Sequence, residues 1–337
     1  MNLLYTCDNN YIRLMSISVI SLFENNQQIK NLVVYLLGEN ISNENKAILD
    51  NIGAKYGRKI IVIDLPKIDI PDILISTRWP LSAFTRLFSA QLLPRNLDRI
   101  LYVDCDTIIK GDIESLLEID IYEKIFYGIS DCISLNYKRN IGLQPNSVYI
   151  NAGVLLINLE KLRDVDIKRS IDKYLTKYIK LMNYADQDIL NSVFTNQIGV
   201  LSPQYNIMTL YVSHTYQEIC MLRKPTNFYS ASELETALIN PIIIHYTTNM
   251  RVIRPWFKNT NHPLAAEFSK YMSLSPWKSS ILPEMKFKSI EERFIGIVQK
   301  LPKGIACRLL GLIHSDLKPI YIRLKATKAI FTTEEER

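Results

Sequence analysis

The chain has 337 residues, a formal net charge of +6, and 47% hydrophobic against 22% charged residues, the balance of an ordinary globular protein long enough to bury a full core. Five cysteines without paired spacing exclude a disulfide framework, and no apolar run is long enough to cross a bilayer. The charge is uneven: Lys286 to Lys328 holds ten Lys or Arg against three acids, which leaves the body near neutral and the tail basic.

The first element, "NLLYTC", reads as a short buried strand that meets Asp8 at its end, and a helical pattern follows from Tyr11 to about Glu24. "NLVVYLLG" is a second strand, "SNENKAILDNIGAKYG" a helix capped by Ser42, and "KIIVIDL" a third strand. Pro66 to Pro80 reads as a loop, "LSAFTRLFSAQLL" as a helix, and "RILYVD" as the next strand. Near-continuous Val/Ile/Leu runs alternating with helices predict a doubly wound α/β fold, a mostly parallel sheet covered on both faces. Such sheets bind ligands beyond the carboxyl ends of their strands, where Asp8 and Asp104 fall. Further on, "YINAGVLLINLEKL" reads as a strand running into a helix, "YADQDILNSVF" as a helix, and "NPIIIHY" as a strand ending in histidine. The start of the chain has no basic stretch before a long apolar one, so the expected location is cytoplasmic.

"RILYVDCDTII" carries the chemistry. Successive strand side chains alternate, so Asp104 and Asp106 project together and Cys105 points the other way. Two adjacent carboxylates repel unless a cation sits between them, and oxygen ligands favour Mg²⁺ or Mn²⁺. Two acids in a solvated turn give the same pattern without a ligand. "YVDCDT" also fits the D-x-D-x-T nucleophile motif of aspartyl-phosphate phosphatases, but that motif belongs on the first strand of a core, and here about a hundred residues precede it.

Six segments in order, "TCDNNY", "FTRLFSAQLLP", "RILYVDCDTIIKGDIESL", "YINAGVLLINLEKLR", "YADQDILN" and "HYTTNMRVIRPW", resemble the retaining glycosyltransferases of family 8. Within that family they look like the bacterial galactosyl- and glucosyltransferases that extend lipopolysaccharide or lipooligosaccharide cores. The resemblance covers residues 1 to 285. It implies a GT-A fold, a mixed and mostly parallel sheet with helices on both faces and a small C-terminal helical region. The implied boundaries are a transferase domain at 1–255, a helical piece at 256–285 and a basic amphipathic tail at 286–337. It further implies a UDP-sugar donor, a glycolipid or oligosaccharide acceptor, and an ion (Mn²⁺ or Mg²⁺) held by Asp104, Asp106 and His245. Thr6, Asp8, Asn10, Tyr11, Arg86, Asp104, Cys105, Asn151 and Arg254 match donor-binding positions, and Asp131, Asp186 and Gln187 match positions around the transferred sugar. The loop "HYTTNMRVIRPW" departs from the family pattern H-x-x-G-x-x-K-P-W: it is three residues longer, with Thr248 in place of glycine and Arg254 in place of lysine. That departure keeps open a non-catalytic, nucleotide-sugar-binding relative. The tail mixes Lys and Arg with Phe294, Ile297 and Leu312, a composition suited to peripheral contact with an anionic membrane, and no motif points to nucleic acid.

Overall fold

The structure is a computed structural model that describes residues 1–66, Leu74 and residues 81–335, so most of the Pro66–Pro80 loop lies outside the described residues. β1 (Asn2–Asp8), β2 (Val33–Glu39), β3 (Lys59–Asp64), β4 (Arg99–Val103), β6 (Phe126–Ser130), β7 (Ile150–Asn158) and β8 (Ile198–Val200) form one sheet in the order β3-β2-β1-β4-β7-β6-β8. Its pairings are parallel except at β7, which runs antiparallel between β4 and β6. All nine residues of β7 are buried, as a strand covered on both faces must be.

The first helices follow their local signals. Asp8 accepts from the backbone N–H groups of Asn10 and Tyr11 and so opens the turn into α1 (Ile12–Asn25). Ser42 caps α2 (Asn43–Tyr56), and Gly57 ends it at a left-handed φ of 61° that glycine adopts without strain. "LSAFTRLFSAQLL" is not one helix. It divides into helical turns Leu81–Phe84 and Ser89–Leu92 around a 3-10 turn, Thr85–Phe88, and that tighter turn buries Thr85, Arg86, Leu87 and Phe88 together.

A second, three-stranded sheet has the order β5-β10-β9, from β5 (Thr107–Ile109), β9 (Ile207–Met208) and β10 (Ile243–His245). The chain therefore leaves the large sheet at Val103 and enters the small one at Thr107, with the two acids in the passage between.

The C-terminal segments pack onto this frame. Phe268, Tyr271 and Met272, on the helix Ala265–Met272, bury against the same core as α1. The tail forms helices Ile290–Val298, Lys303–Gly311 and Lys318–Glu335, and its Val298, Ala306, Cys307 and Leu310 join Ile219 and Leu222 in a further apolar cluster.

His262 gives the fold a titration. Its buried ring accepts the Leu264 N–H at Nδ1 (3.1 Å), contacts the Thr209 hydroxyl at Nε2 (3.2 Å) and meets Tyr246 edge-on at 4.8 Å. Burial pushes its pKa down to about 4. The unfolded chain binds a proton near pH 6.5 that the folded chain refuses, so stability is complete above that pH and is lost as pH falls toward 4. Melting curves at pH 7 and pH 5 should show this loss, about 1–2 kcal/mol from His262, and His262→Gln should flatten the slope; equal slopes would assign the acid sensitivity to other groups.

Candidate active site

The passage between the sheets gathers the acids. The Cys105 side chain turns inward, its thiol toward the Thr6 carbonyl (3.8 Å), as strand alternation predicts, so only the backbone of Cys105 is left to face a ligand. Asp104 and Asp106 both meet the imidazole of His245, from the end of β10: Nε2 lies 3.2 Å from Asp106 and 3.7 Å from Asp104. Asn206 Oδ1 sits 3.0 Å from His245 Nδ1, which places the ring proton there and turns the Nε2 lone pair to the acids. Burial alone would lower the His245 pKa, but Asp106 and Asp104 outweigh it and raise the pKa; Asp106 is held below the usual carboxylate range in spite of its own burial. One donor atom from each residue lies within 4.8 Å of the others, and two carboxylates with an oriented imidazole fit a hard divalent cation such as Mn²⁺ or Mg²⁺. Gly153 makes room for this: a Cβ there would come within 2.2 Å of His245 Cε1 and 2.8 Å of Asp104 Oδ2.

Arg86, delivered by the 3-10 turn, is the hub behind the acids. Its guanidinium reaches Asp104 (3.0 Å), Asp186 (2.9 Å) and the Ala152 carbonyl (2.5 Å), and stacks over Tyr102 (4.3 Å). The Tyr102 hydroxyl donates to Asp104 (2.6 Å) and contacts Thr6 Oγ1 (3.2 Å). Burial lifts the Asp186 pKa to about 6 against the opposing pull of Arg86.

A second cluster surrounds Gln187, on the helix Ala185–Val193. Its carbonyl oxygen accepts from Asn151 and from the Ala152 N–H, both at 3.1 Å, and its amide donates to Asp131 (3.0 Å) and to the Tyr149 hydroxyl (3.1 Å). Asn151 also donates to Asp131 (3.2 Å) and accepts from Asn206 (2.9 Å). Asn206 therefore joins the His245 cluster to the Gln187 cluster.

On the outer side, Asn10 and the half-exposed Tyr11 form the Asp8 turn, and the charges of Arg254 and Asp106 act on the Tyr11 hydroxyl. The long loop after His245 closes as a tight turn on the pair Asn249 and Val252, with Met250 at a φ of 46°. This returns Arg254 to 3.7 Å from Asp106, its guanidinium stacked on Trp256.

The sequence profile of the family described as Glycosyl transferase family 8 matches residues 2–260. The chain belongs to glycosyltransferase family 8. This family-8 glycosyltransferase is 24% identical over 282 residues to General stress protein A of Bacillus subtilis, covering 83% of this chain and 95% of that one. It is 27% identical over 286 residues to a lipopolysaccharide 1,2-glucosyltransferase of Escherichia coli, covering 82% and 79%. Among solved structures, a galactosyltransferase, LgtC, in complex with donor and acceptor sugar analogs superposes with a TM-score of 0.65 at 23% identity, covering 82% of this chain and 96% of that one, and so shares its fold. Family membership removes the phosphatase alternative.

In the family-8 chain nine of the expected residues fall into three connected groups: Asp104, Asp106, His245 and Arg254; Arg86 with Asp186; and Gln187 with Asp131 and Asn151. Thr6 meets Tyr102 behind Asp104, Asp8, Asn10 and Tyr11 form the outer turn, and the Cys105 side chain turns away. Tyr102, Tyr149, Gly153 and Asn206 were not singled out from the sequence. Tyr102 was within reach, since it lies two residues before Asp104 and shares its strand face. Asn206 had no local signal, being 39 residues from the histidine it orients.

Proposed function

We propose that this enzyme transfers galactose or glucose from a UDP-sugar, with retention at the anomeric carbon, to a bacterial surface glycan or glycolipid of the lipopolysaccharide-core type. The observation that carries the reading is the junction at Asn206, which contacts both His245 and Asn151 and so sets the Asp104–Asp106–His245 cluster, suited to a cation on a diphosphate, next to the Gln187 cluster, suited to a sugar. Asp104, Asp106 and His245 would hold Mn²⁺ or Mg²⁺, which supplies neutralisation of charge on the leaving diphosphate. Arg254 lies where it can pair with phosphate oxygens, and an arginine does this with two parallel bonds. The Thr6–Tyr11 turn is the place for uracil and ribose. Asp131, Asn151, Asp186 and Gln187 orient the sugar and oppose the positive charge that grows at its anomeric carbon. Gln187 carries no charge, Asp186 is bound to Arg86, and Asp131 is engaged by Gln187 and Asn151, so each is a poor covalent nucleophile. This favours front-face attack, in which the departing diphosphate takes the acceptor proton.

A screen of UDP-sugars for UDP release, with Mn²⁺ and with EDTA, tests the reading; no metal-dependent release from any sugar would reject it. Gln187→Ala is expected to lower kcat by about 10²- to 10³-fold with UDP affinity nearly intact. A glycosyl adduct trapped on any side chain of the native enzyme would overturn front-face attack.

The composition of the tail supports a reading of the enzyme as a cytoplasmic protein held peripherally at an anionic inner-leaflet surface. Phe294, Ile297, Ile305, Leu317 and Tyr321 are exposed among Arg293, Lys300, Lys303 and Lys325. Removing the whole tail is a poor test of this, because it would also uncover Ile219 and Leu222.

A further inference from the structure

We propose that a cavity beside the reaction centre, walled on one side by the tail, is a subsite for an oxyanion, a phosphate or carboxylate group carried by the acceptor sugar. The cavity, of about 320 Å³, is lined by Cys132, Tyr137, Tyr184, Arg223, His314 and Lys318 among others. Its place follows from the chain: Cys132 succeeds Asp131, and Tyr184 begins the turn that delivers Asp186 and Gln187. The inference rests on the reading of Asp131 and Gln187 as the sugar cradle. His314 and Lys318 lie beyond residues 2–260, the span that matches the family.

The charge of the cavity points to its occupant. Among the described residues no carboxylate lines it. Arg223 is partly buried and is held by neutral groups, the Nε2 of His314 and the hydroxyl of Tyr184. His314 stays uncharged, since burial and the adjacent Arg223 and Lys318 push its pKa down to about 3. It therefore accepts from the guanidinium and offers it no counter-charge. The acids nearby are engaged elsewhere. Asp188 is buried and receives the hydroxyls of Tyr137 and Tyr149, and Asp316 pairs with Lys224 and Asn136. Glu291 meets Lys318 at 3.2 Å in an exposed pair of the kind that contributes little. A guanidinium in a walled cavity with neutral partners is costly unless a ligand brings the anion, and Arg is the side chain best shaped to receive one.

The wall is built to hold that shape. Residues Leu312–Leu317 form a π-helical turn, whose wider spacing sets His314 and Ser315 into the lining. Ser315 Oγ donates to the Leu222 carbonyl (2.8 Å) and Ser134 Oγ donates to the Ser315 carbonyl (2.6 Å), which fixes the turn beside the end of the helix Tyr216–Arg223.

The test uses the full chain saturated with UDP and Mn²⁺, so that the diphosphate position is filled. Inorganic phosphate titrated calorimetrically should bind saturably, and Arg223→Gln should weaken it at least tenfold, with folding checked by the melting curve. Should that variant not fold, Lys318→Gln supplies the comparison, with a loss of about threefold. No saturable phosphate binding, or equal binding in wild type and folded variant, overturns the inference. In the transfer assay, methyl hexosides, their 6-phosphates and the matching hexuronides are compared as acceptors. An advantage in kcat/KM of tenfold or more for either charged series, reduced in Arg223→Gln, supports the subsite, and the better series identifies its group. Equal use of all three rejects the subsite while leaving the transferase reading in place. Absence of UDP release from every UDP-sugar with every acceptor rejects that reading, while the phosphate titration still decides the subsite.

Discussion

Asp106→Ala is expected to abolish the rise in melting temperature produced by UDP with Mn²⁺, and to cut turnover by on the order of 10³-fold or more. Asp106 is the nearer carboxylate to His245 and also faces Arg254, so its loss removes a donor atom and takes from Arg254 the acid it faces. His245→Ala should behave alike, since it removes the nitrogen that Asn206 aims at the acids. Both variants should remain folded, because the three side chains line the passage between sheets and are not among the apolar clusters. Full activity of the native enzyme in EDTA, or an unchanged thermal shift in either variant, would disprove a shared ion.

The largest effect on stability is expected at Arg86. Arg86→Met keeps much of the buried stem but removes the charge that both Asp104 and Asp186 face. Breaking a buried ion pair from one side costs about 3–5 kcal/mol, because the remaining charge is left in a poor solvent. Asp186, already lifted to about 6 by burial, loses the largest influence that opposes the rise. It then titrates well above its unfolded value, so the folded variant binds a proton that its unfolded chain releases. The deficit of Arg86→Met relative to wild type should therefore narrow as pH falls from 7 toward 5. Asp186→Asn should recover part of the loss when added to Arg86→Met. Urea denaturation at the two pH values measures both; a deficit independent of pH would mean that Asp186 is not the group left exposed by the change.

Much of this arrangement was legible in the chain, and the parts that were not have physical reasons. The Val/Ile/Leu runs named five of the seven strands of the large sheet, the covered ones because burial on both faces admits little else, whereas Phe126–Ser130 and Ile198–Val200 were not read. Alternation placed Asp104 and Asp106 on one side and Cys105 on the other, as observed. Of the small sheet only β10 was read, in "NPIIIHY": β5 and β9 are three and two residues long, too short to show a period. "LSAFTRLFSAQLL" has helical spacing, but spacing does not report the 3-10 turn that buries Arg86 against Asp104 and Asp186. In the tail, the apolar positions do not say which side faces the body. Val298 and Leu310 pack inward while Ile297 and Leu312 stay exposed. The partnership of His245 with the acids came from family resemblance, since 139 residues separate it from Asp106.

The acids sit where the chain crosses from one sheet to the other, and the histidine reaches them from the second sheet. A cation at that place would be a rivet as well as a reagent. Its loading would add a tie between two sheets already joined by the chain through Asp104–Asp106 and by the hydrogen bond from Asn206 to Asn151, and the free energy of ion binding would raise the cost of prising them apart. Amide hydrogens of β9 and β10 would then exchange more slowly in the loaded enzyme, although neither strand needs to touch the sugar. Occupancy by the donor and rigidity of the seam would then be one variable, set by an ion held across the passage.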